Sequence, residues 1–388
     1  MWRHIAANAL TLLTLGLFLL GGLIAWGASQ YRAPGPLTSA ICLEVPRGGS
    51  MGGVADDLAE KGAISSPFIF EVGADYTEKA NDLKFGRYRV PEAASMEQIV
   101  DIVTRGGRST CGAEVIYRVG INRTVVDVRE LDPATNRFEE IASFVNVEEE
   151  PPAAYLALKE DGSASFRLVI AEGATSWQIM NALGQLDILQ ADIDVAPPEG
   201  SLAPRDYDVA VGDTVSSVLR RMSELQAQVL DEAWQNRAEG LPIETPEEAL
   251  ILASIIEKET SVPEERRQVS SVFINRLNRG MRLQTDPTVI YGITLGEGVL
   301  GRGLRQSELR APTPWNTYVI EGLPPTPIAN PGQAAIEAAL NPDTTEYIFF
   351  VADGTGGHAF ATNLEDHNRN VARWREIEAQ QEAEANDG

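Results

Sequence analysis

ALILASIIEKETSVPEERRQVSSVFINRLNRGMRLQTDPTVIYG, residues 249–292, holds a carboxylate where a folded chain does not place one without a reason. At 100° per residue, Leu252, Ile255 and Ile256 form an apolar stripe, and Glu259 falls in it. Glu257 lands nearly opposite, on the side a surface helix turns to water. The helix is expected to stop just past Glu259, because Ser261 and Glu264 fit a capping box with Pro263 in the first turn that follows. An anion in a last turn meets the negative end of the helix dipole, an unfavourable interaction of roughly 0.3–1 kcal/mol. Burial and dipole both disfavour the charged form and raise its pKa, which suits a general acid. The other reading is a structural ion pair with Arg266, Arg267, Arg276 or Arg279.

Working outward, residues 214–237 carry apolar side chains at helical spacing, and Thr245-Pro-Glu-Glu opens the Glu259 helix. A second helix presents Val269, Val272, Phe273 and Leu277 and ends at Gly280. RLQTDP (282–287) is extended, with Asp286-Pro287 capping a further turn. YIFFVA (347–352), a Gly-rich turn and residues 358–362 read as a β-hairpin.

Upstream, one phrase recurs: VPRGGSMGGVADDL (45–58), VPEAASMEQIVDIV (90–103) and IAEGATSWQIMNAL (170–183), with a fainter copy at 209–219. Each is a strand end, a small polar turn, a Ser or Thr N-cap and a short amphipathic helix. The recurrence resembles LysM-like modules, and the spacing is too irregular for a solenoid. Between the second and third copies, 115–119, 124–128, 138–147 and 154–159 read as strands of a β-rich insertion over 109–165.

Residues 5–28 form 24 positions without a charge, long enough to cross a bilayer as an uncleaved helix. Arg3 and the terminal amine favour a cytoplasmic N-terminus, and the bulk of the chain is placed outside the cytoplasm. With 32 basic against 56 acidic residues, a net charge of −24, nucleic acid is not an expected partner. Cys42 and Cys111 either pair, closing a loop worth roughly 4 kcal/mol by chain entropy, or remain free buried thiols. Three histidines leave no metal site, and no cofactor is expected. The tail beyond Ile377 is acidic and expected to fray.

ASIIEKET (253–260), SVFINRL (271–277), MRLQTDPTVIYG (281–292), TPWNTY (313–318), GLPPTPIANPG (322–332) and YIFFVADGTGGHAF (347–360) together closely resemble the MltG/YceG-like family of membrane-anchored endolytic murein transglycosylases. The resemblance is dense over 240–375, looser over 40–107 and 166–240, and has no counterpart over 109–165. It implies that Glu259, the second Glu of EKE, is the catalytic residue. The implied reaction cleaves the MurNAc-β-1,4-GlcNAc bond without water: Glu259 protonates the leaving oxygen, then deprotonates the C6 hydroxyl that closes a 1,6-anhydro end. Gln284, Asn316 and Tyr318 sit in matched polar blocks and are candidates to bind sugar groups or, as easily, to fix loops. Arg282 and Arg276 are candidates to hold peptide or lactyl carboxylates, and each has a structural alternative. Asp286 is the nearest second carboxylate, more simply an N-cap; His358 reads as structural.

The expected class is α+β: cytoplasmic residues 1–4, a transmembrane helix 5–28, a linker 29–39, LysM-like modules 40–108, the insertion 109–165, a second LysM-like module with a long helix 166–240, a mixed helix/strand catalytic domain 241–377 and an acidic tail 378–388. Expected partners are peptidoglycan strands, the inner membrane, and peptidoglycan synthases or divisome proteins, with the catalytic domain periplasmic. A non-catalytic glycan-binding scaffold and a water-using muramidase are the alternatives.

Overall fold

The computed structural model describes residues 2–46, 48–105, 111–132, 135–161 and 164–387, with the side chains of 2–13, 161 and 382–387 outside that description. The chain is a mixed α+β protein of two compact units, and the division runs through residues 109–165. The first unit is residues 1–115, 128–142 and 153–165; the second is 116–127, 143–152 and 166–388.

The first unit begins with helix α1 (Trp2–Arg32). The expected span 5–28 lies within it, and the side chains of 5–13 fall outside the described residues. Among the described residues no helix is long and apolar enough to cross a membrane. Strand β1 (Ile41–Val45), helices α2 (Met51–Glu60) and α3 (Pro67–Tyr76), strand β2 (Gly86–Val90) and helix α4 (Met96–Thr104) follow. β1 and β2 pair antiparallel, Ile41 opposite Val90. Alternation along both strands turns Leu43, Val45, Tyr88 and Val90 inward, onto Val54, Leu58, Phe70, Ile99 and Val100. Cys42 and Cys111 form a disulfide, with Cα atoms 5.6 Å apart.

Residues 109–165, expected as an insertion, supply β3 (Ala113–Val119), β4 (Thr124–Asp132), β5 (Arg137–Val145) and helix α5 (Ala153–Asp161); residues 109–110, 133–134 and 162–163 lie outside the described ones. The last expected strand, 154–159, is instead helical. Its sequence, AAYLALKED, is mostly strong helix formers (Ala, Leu, Lys, Glu), and single-residue alternation there was coincidental. β6 (Ser165–Ile170) and β7 (Asp206–Val209), with α6 (Ser176–Gly184) between them, complete a sheet of order β5-β4-β3-β6-β7.

In the second unit α7 (Val215–Gln235), α8 (Pro246–Glu259), α9 (Arg266–Asn278), α10 (Asp286–Thr294), α11 (Gln333–Leu340), the hairpin β8 (Phe349–Ala352) and β9 (His358–Ala361), and α12 (Leu364–Asp387) follow. Each copy of the recurrent phrase builds the same local device: Ser50, Ser95, Thr175 and Thr214 accept the N–H three residues on, and Ser95 and Thr175 close full capping boxes. Thr245 likewise caps α8. The box expected at Ser261 and Glu264 does not form. A 3-10 turn at Pro263–Glu265 intervenes, with Val262 at its N-cap and no side-chain cap bond. The acidic tail continues α12 as helix to Asp387; Ala, Glu and Gln are strong helix formers whatever their solvation.

α8 packs against α7, α9, α10 and α11. Leu252, Ala253, Ile255 and Ile256 are wholly buried among Val269, Phe273, Ala335, Ile336 and Leu340. A helix enclosed on so many sides has little water face, and that changes the environment of its last two glutamates.

Candidate active site

Glu257 does not face water: its side chain is 6% exposed. It reaches the start of α11, where its Oε2 accepts the N–H of Gly332, the α11 N-cap, at 2.9 Å. An anion is favoured at a helix N-terminus, and the guanidinium of Arg266 stands 3.9 Å away. A Cβ at Gly332 would meet the Glu172 carboxylate and push that half-exposed side chain aside. Burial still pushes the Glu257 carboxyl above the ordinary range, against the Gly332 bond. Glu257 is therefore bound into the joint between α8 and α11. The adjacent Lys258 donates to the carbonyl of Gly173 at 3.2 Å, and burial holds its ammonium below its usual pKa.

Glu259, two residues on, ends α8 and points elsewhere. Its Oε1 accepts the hydroxyl of Thr285. Burial raises its pKa; the Thr285 bond opposes this, the charge of Asp286 adds to it, and His358 and Arg276 oppose it. Its carboxyl opens on a cavity of about 360 Å³ together with Thr260 and Ser261, the hairpin residues Ala352, Gly354, Gly356, Gly357 and His358, and Trp374 and Gln381 of α12. Among the described residues lining this cavity, Glu259 is the only carboxylate. A buried, proton-holding acid beside a cavity can protonate a leaving oxygen and take a proton back.

The remaining candidates lie on α9 (Arg276) and along the segment 282–318, and none of them lines this cavity. Asp286 is exposed and accepts the Tyr318 hydroxyl at 2.7 Å; burial, first, and this carboxylate push the Tyr318 phenol up. Asp286 is the first residue of α10, and the N-cap position expected of it belongs to Thr285. Asn316 is wholly buried. Its amide donates to the carbonyls of Glu308, Leu309 and Ala311, and its oxygen accepts the Tyr318 N–H at 3.0 Å, so the side chain is committed to shaping the loop. Arg276 is also turned inward: it donates to the carbonyls of Ile348 and Leu283, tying α9 to β8 and to the segment before α10, rather than presenting a free guanidinium. Arg282 donates to the carbonyl of Tyr318 at 3.2 Å from an exposed position. Gln284 is exposed with φ +52°, and its backbone N–H donates to the carbonyl of Thr317 at 3.2 Å.

Two neighbours of Glu259 are not among the sequence's candidate site residues. Thr285 touches Glu259 directly, and His358, read as structural, shares its cavity. His358 Nδ1 lies 2.8 Å from Glu265 Oε2. The only sequence signal for either was membership in the polar blocks around Asp286 and the Gly turn. No group of His, Cys, Asp and Glu side chains among the described residues has the arrangement of a metal site.

The geometry brings one buried carboxyl to a cavity lined by a β-hairpin and a C-terminal helix. The chain belongs to the YceG-like family, whose profile matches residues 43–373 and so runs through 109–165, where the sequence resemblance alone offers no counterpart. It is 26% identical over 357 residues to the endolytic murein transglycosylase of Bacillus subtilis (strain 168), spanning 90% of this chain and 89% of that one. It is 27% identical over 345 residues to the endolytic murein transglycosylase of Streptococcus pneumoniae serotype 2 (strain D39 / NCTC 7466), spanning 86% of this chain and 58% of the relative. A crystal structure of a YceG-like protein from Listeria monocytogenes aligns with a TM-score of 0.45 at 26% identity, covering 85% of this chain and 98% of that one.

Proposed function

We propose that this chain is an endolytic lytic transglycosylase of peptidoglycan, cleaving the MurNAc-β-1,4-GlcNAc bond of nascent glycan strands and leaving 1,6-anhydro ends. The observation that carries the reading is the solitary Glu259 carboxyl, raised in pKa by burial and open to a cavity with no second carboxylate among its described lining residues. Glycosidases that use water employ two carboxyl groups, one of them to activate water or attack the sugar. One suffices when the substrate brings its own nucleophile. Glu259 gives its proton to the glycosidic oxygen as the bond to C1 breaks, and the resulting carboxylate takes the proton of the muramyl C6 hydroxyl as that oxygen bonds C1. The enzyme ends as it began, and no water enters.

In the same reading, residues 5–28 anchor the chain once in the inner membrane, with the N-terminus cytoplasmic and the rest periplasmic. The run of 24 uncharged residues supports the anchor, and the Cys42–Cys111 disulfide fits an oxidising compartment. The β1–α2–α3–β2 arrangement, two antiparallel strands bracketing two helices, supports a LysM-like glycan-contacting role for residues 40–108. Action on nascent strands places the enzyme beside peptidoglycan synthases or division proteins. Digestion of purified peptidoglycan tests the chemistry. Anhydro-ended fragments support it; reducing ends would mean a water-using muramidase, and glycan bound without any release would mean a scaffold.

A further inference from the structure

Thr285 occupies the N-cap of α10, with extended backbone angles of φ −118° and ψ 128°, yet its hydroxyl makes no cap bond. A Ser or Thr in this position ordinarily accepts a backbone N–H from the first turn. The hydroxyl instead donates to Glu259 Oε1, 26 residues away. What holds it there is a sealed group of threonines. The Thr285 N–H donates to Thr317 Oγ1 at 3.0 Å, the Thr288 hydroxyl donates to the Thr285 carbonyl at 2.7 Å, and the Thr288 and Thr317 hydroxyls meet at 2.8 Å. Thr288 and Thr317 are wholly buried and Thr285 is 3% exposed, so water does not compete for these bonds.

A hydroxyl that donates to one carboxyl oxygen dictates where the proton sits. Oε1 accepts in both states of Glu259, as carboxylate oxygen or as the carbonyl oxygen of the acid. The acidic proton is then confined to Oε2. We propose that Thr285 is a positioning residue that binds Glu259 Oε1 throughout the cycle, so that Oε2 alone passes the proton to and from the glycan. This rests on the assignment of Glu259 as the acid and base given above, and extends it to the residue that aims it.

The test compares Thr285→Val, Thr285→Ala and Thr285→Ser in the full-length chain, measuring kcat, KM and the pH profile on glycan. Val and Ala, which lack the hydroxyl, are expected to lose about tenfold to a hundredfold in kcat with KM nearly unchanged. Removing a bond that favours the charged form also moves the alkaline limb to higher pH, because the other titratable groups facing Glu259 (Asp286, His358, Arg276 and the neutral Tyr318 phenol) are untouched. Ser restores both rate and limb. A merely structural threonine would alter the melting temperature without moving the limb. Wild-type kcat with an unmoved limb in Val or Ala overturns the proposal, as does a Ser variant no better than Val.

A second measurement needs no Thr285 variant to fold. The infrared difference between wild type and Glu259→Gln, taken below the titration of Glu259, is expected to show the C=O stretch of a hydrogen-bonded acid, and a free C=O overturns the proposal. If Glu259→Gln keeps full activity, the parent assignment fails instead, and the infrared spectrum still reports on the bond.

Discussion

Glu265 holds His358 twice: its Oε2 lies 2.8 Å from the imidazole Nδ1, and its Oε1 accepts the backbone N–H of the same residue at 2.9 Å. A carboxylate only accepts, so Nδ1 carries the proton and Nε2 is the ring's other polar atom. Gly357, just before, allows this approach, since a Cβ there would press on the Glu265 carboxylate. The ring also packs edge-on to Phe350, centroids 5.2 Å apart. Nitrogen NMR is expected to find the Nδ1–H tautomer in the neutral ring. Glu265→Ala, which frees the hairpin end that borders the cavity, is expected to lower kcat/KM by about tenfold; an Nε2–H tautomer would contradict the geometry.

Asp286 sets a sign for the pH profile. Its charge adds to the burial that raises Glu259. Activity needs protonated Glu259 and falls as pH rises through that raised pKa. Asp286→Asn removes one raising influence, so the alkaline limb is expected to move to lower pH, with the acidic side unchanged. A limb that moves upward would contradict the placement of this charge.

The two glutamates of EKE are expected to separate by stability as well as rate. Glu259 has a folded-state pKa above its ordinary 4.5, so its contribution to stability is fully present below that ordinary value and is lost as pH rises through the raised one. Glu259→Gln mimics the protonated acid and is expected to melt higher than wild type at neutral pH, and to match it in acid. Glu257→Gln keeps an acceptor for the Gly332 N–H and is expected to stay within a few-fold of wild-type activity. Glu257→Ala leaves that buried N–H unpaired, at a cost of about 1–3 kcal/mol in denaturant melts. A Glu259→Gln variant less stable than wild type at neutral pH would contradict the burial assigned to this carboxyl.

The disulfide joins residues 69 apart and closes a loop containing α2, α3, β2 and α4. Reduction, or Cys111→Ser, is expected to cost the first unit about 4 kcal/mol by loop-closure entropy. The second unit, which contains the Glu259 cavity, is expected to melt unchanged; a shared loss would show that the two units unfold together.

What the sequence revealed was local. The caps at Ser50, Ser95, Thr175, Thr214 and Thr245 depend on a hydroxyl and an N–H three residues on, and each is where the pattern places it. Hairpin β8–β9 and strands β3 to β5 were legible from alternation and turn residues. Glu257 was misplaced because a helical wheel assumes one side faces water, and α8 is packed by four other helices. Thr285 was overlooked because its partner lies 26 residues away, and the Glu265–His358 pair is 93 residues apart. For Asn316 the sequence leaves sugar binding and loop fixing open, and its burial and three carbonyl partners fit the second.

The most direct test of the central claim is the yield of 1,6-anhydro-muropeptides from one peptidoglycan preparation digested in parallel by wild type, Glu259→Gln and Glu257→Gln, resolved by mass spectrometry. Wild type and Glu257→Gln are expected to release anhydro ends within a few-fold of each other, and Glu259→Gln almost none. Anhydro ends that persist in Glu259→Gln and vanish in Glu257→Gln would contradict the account.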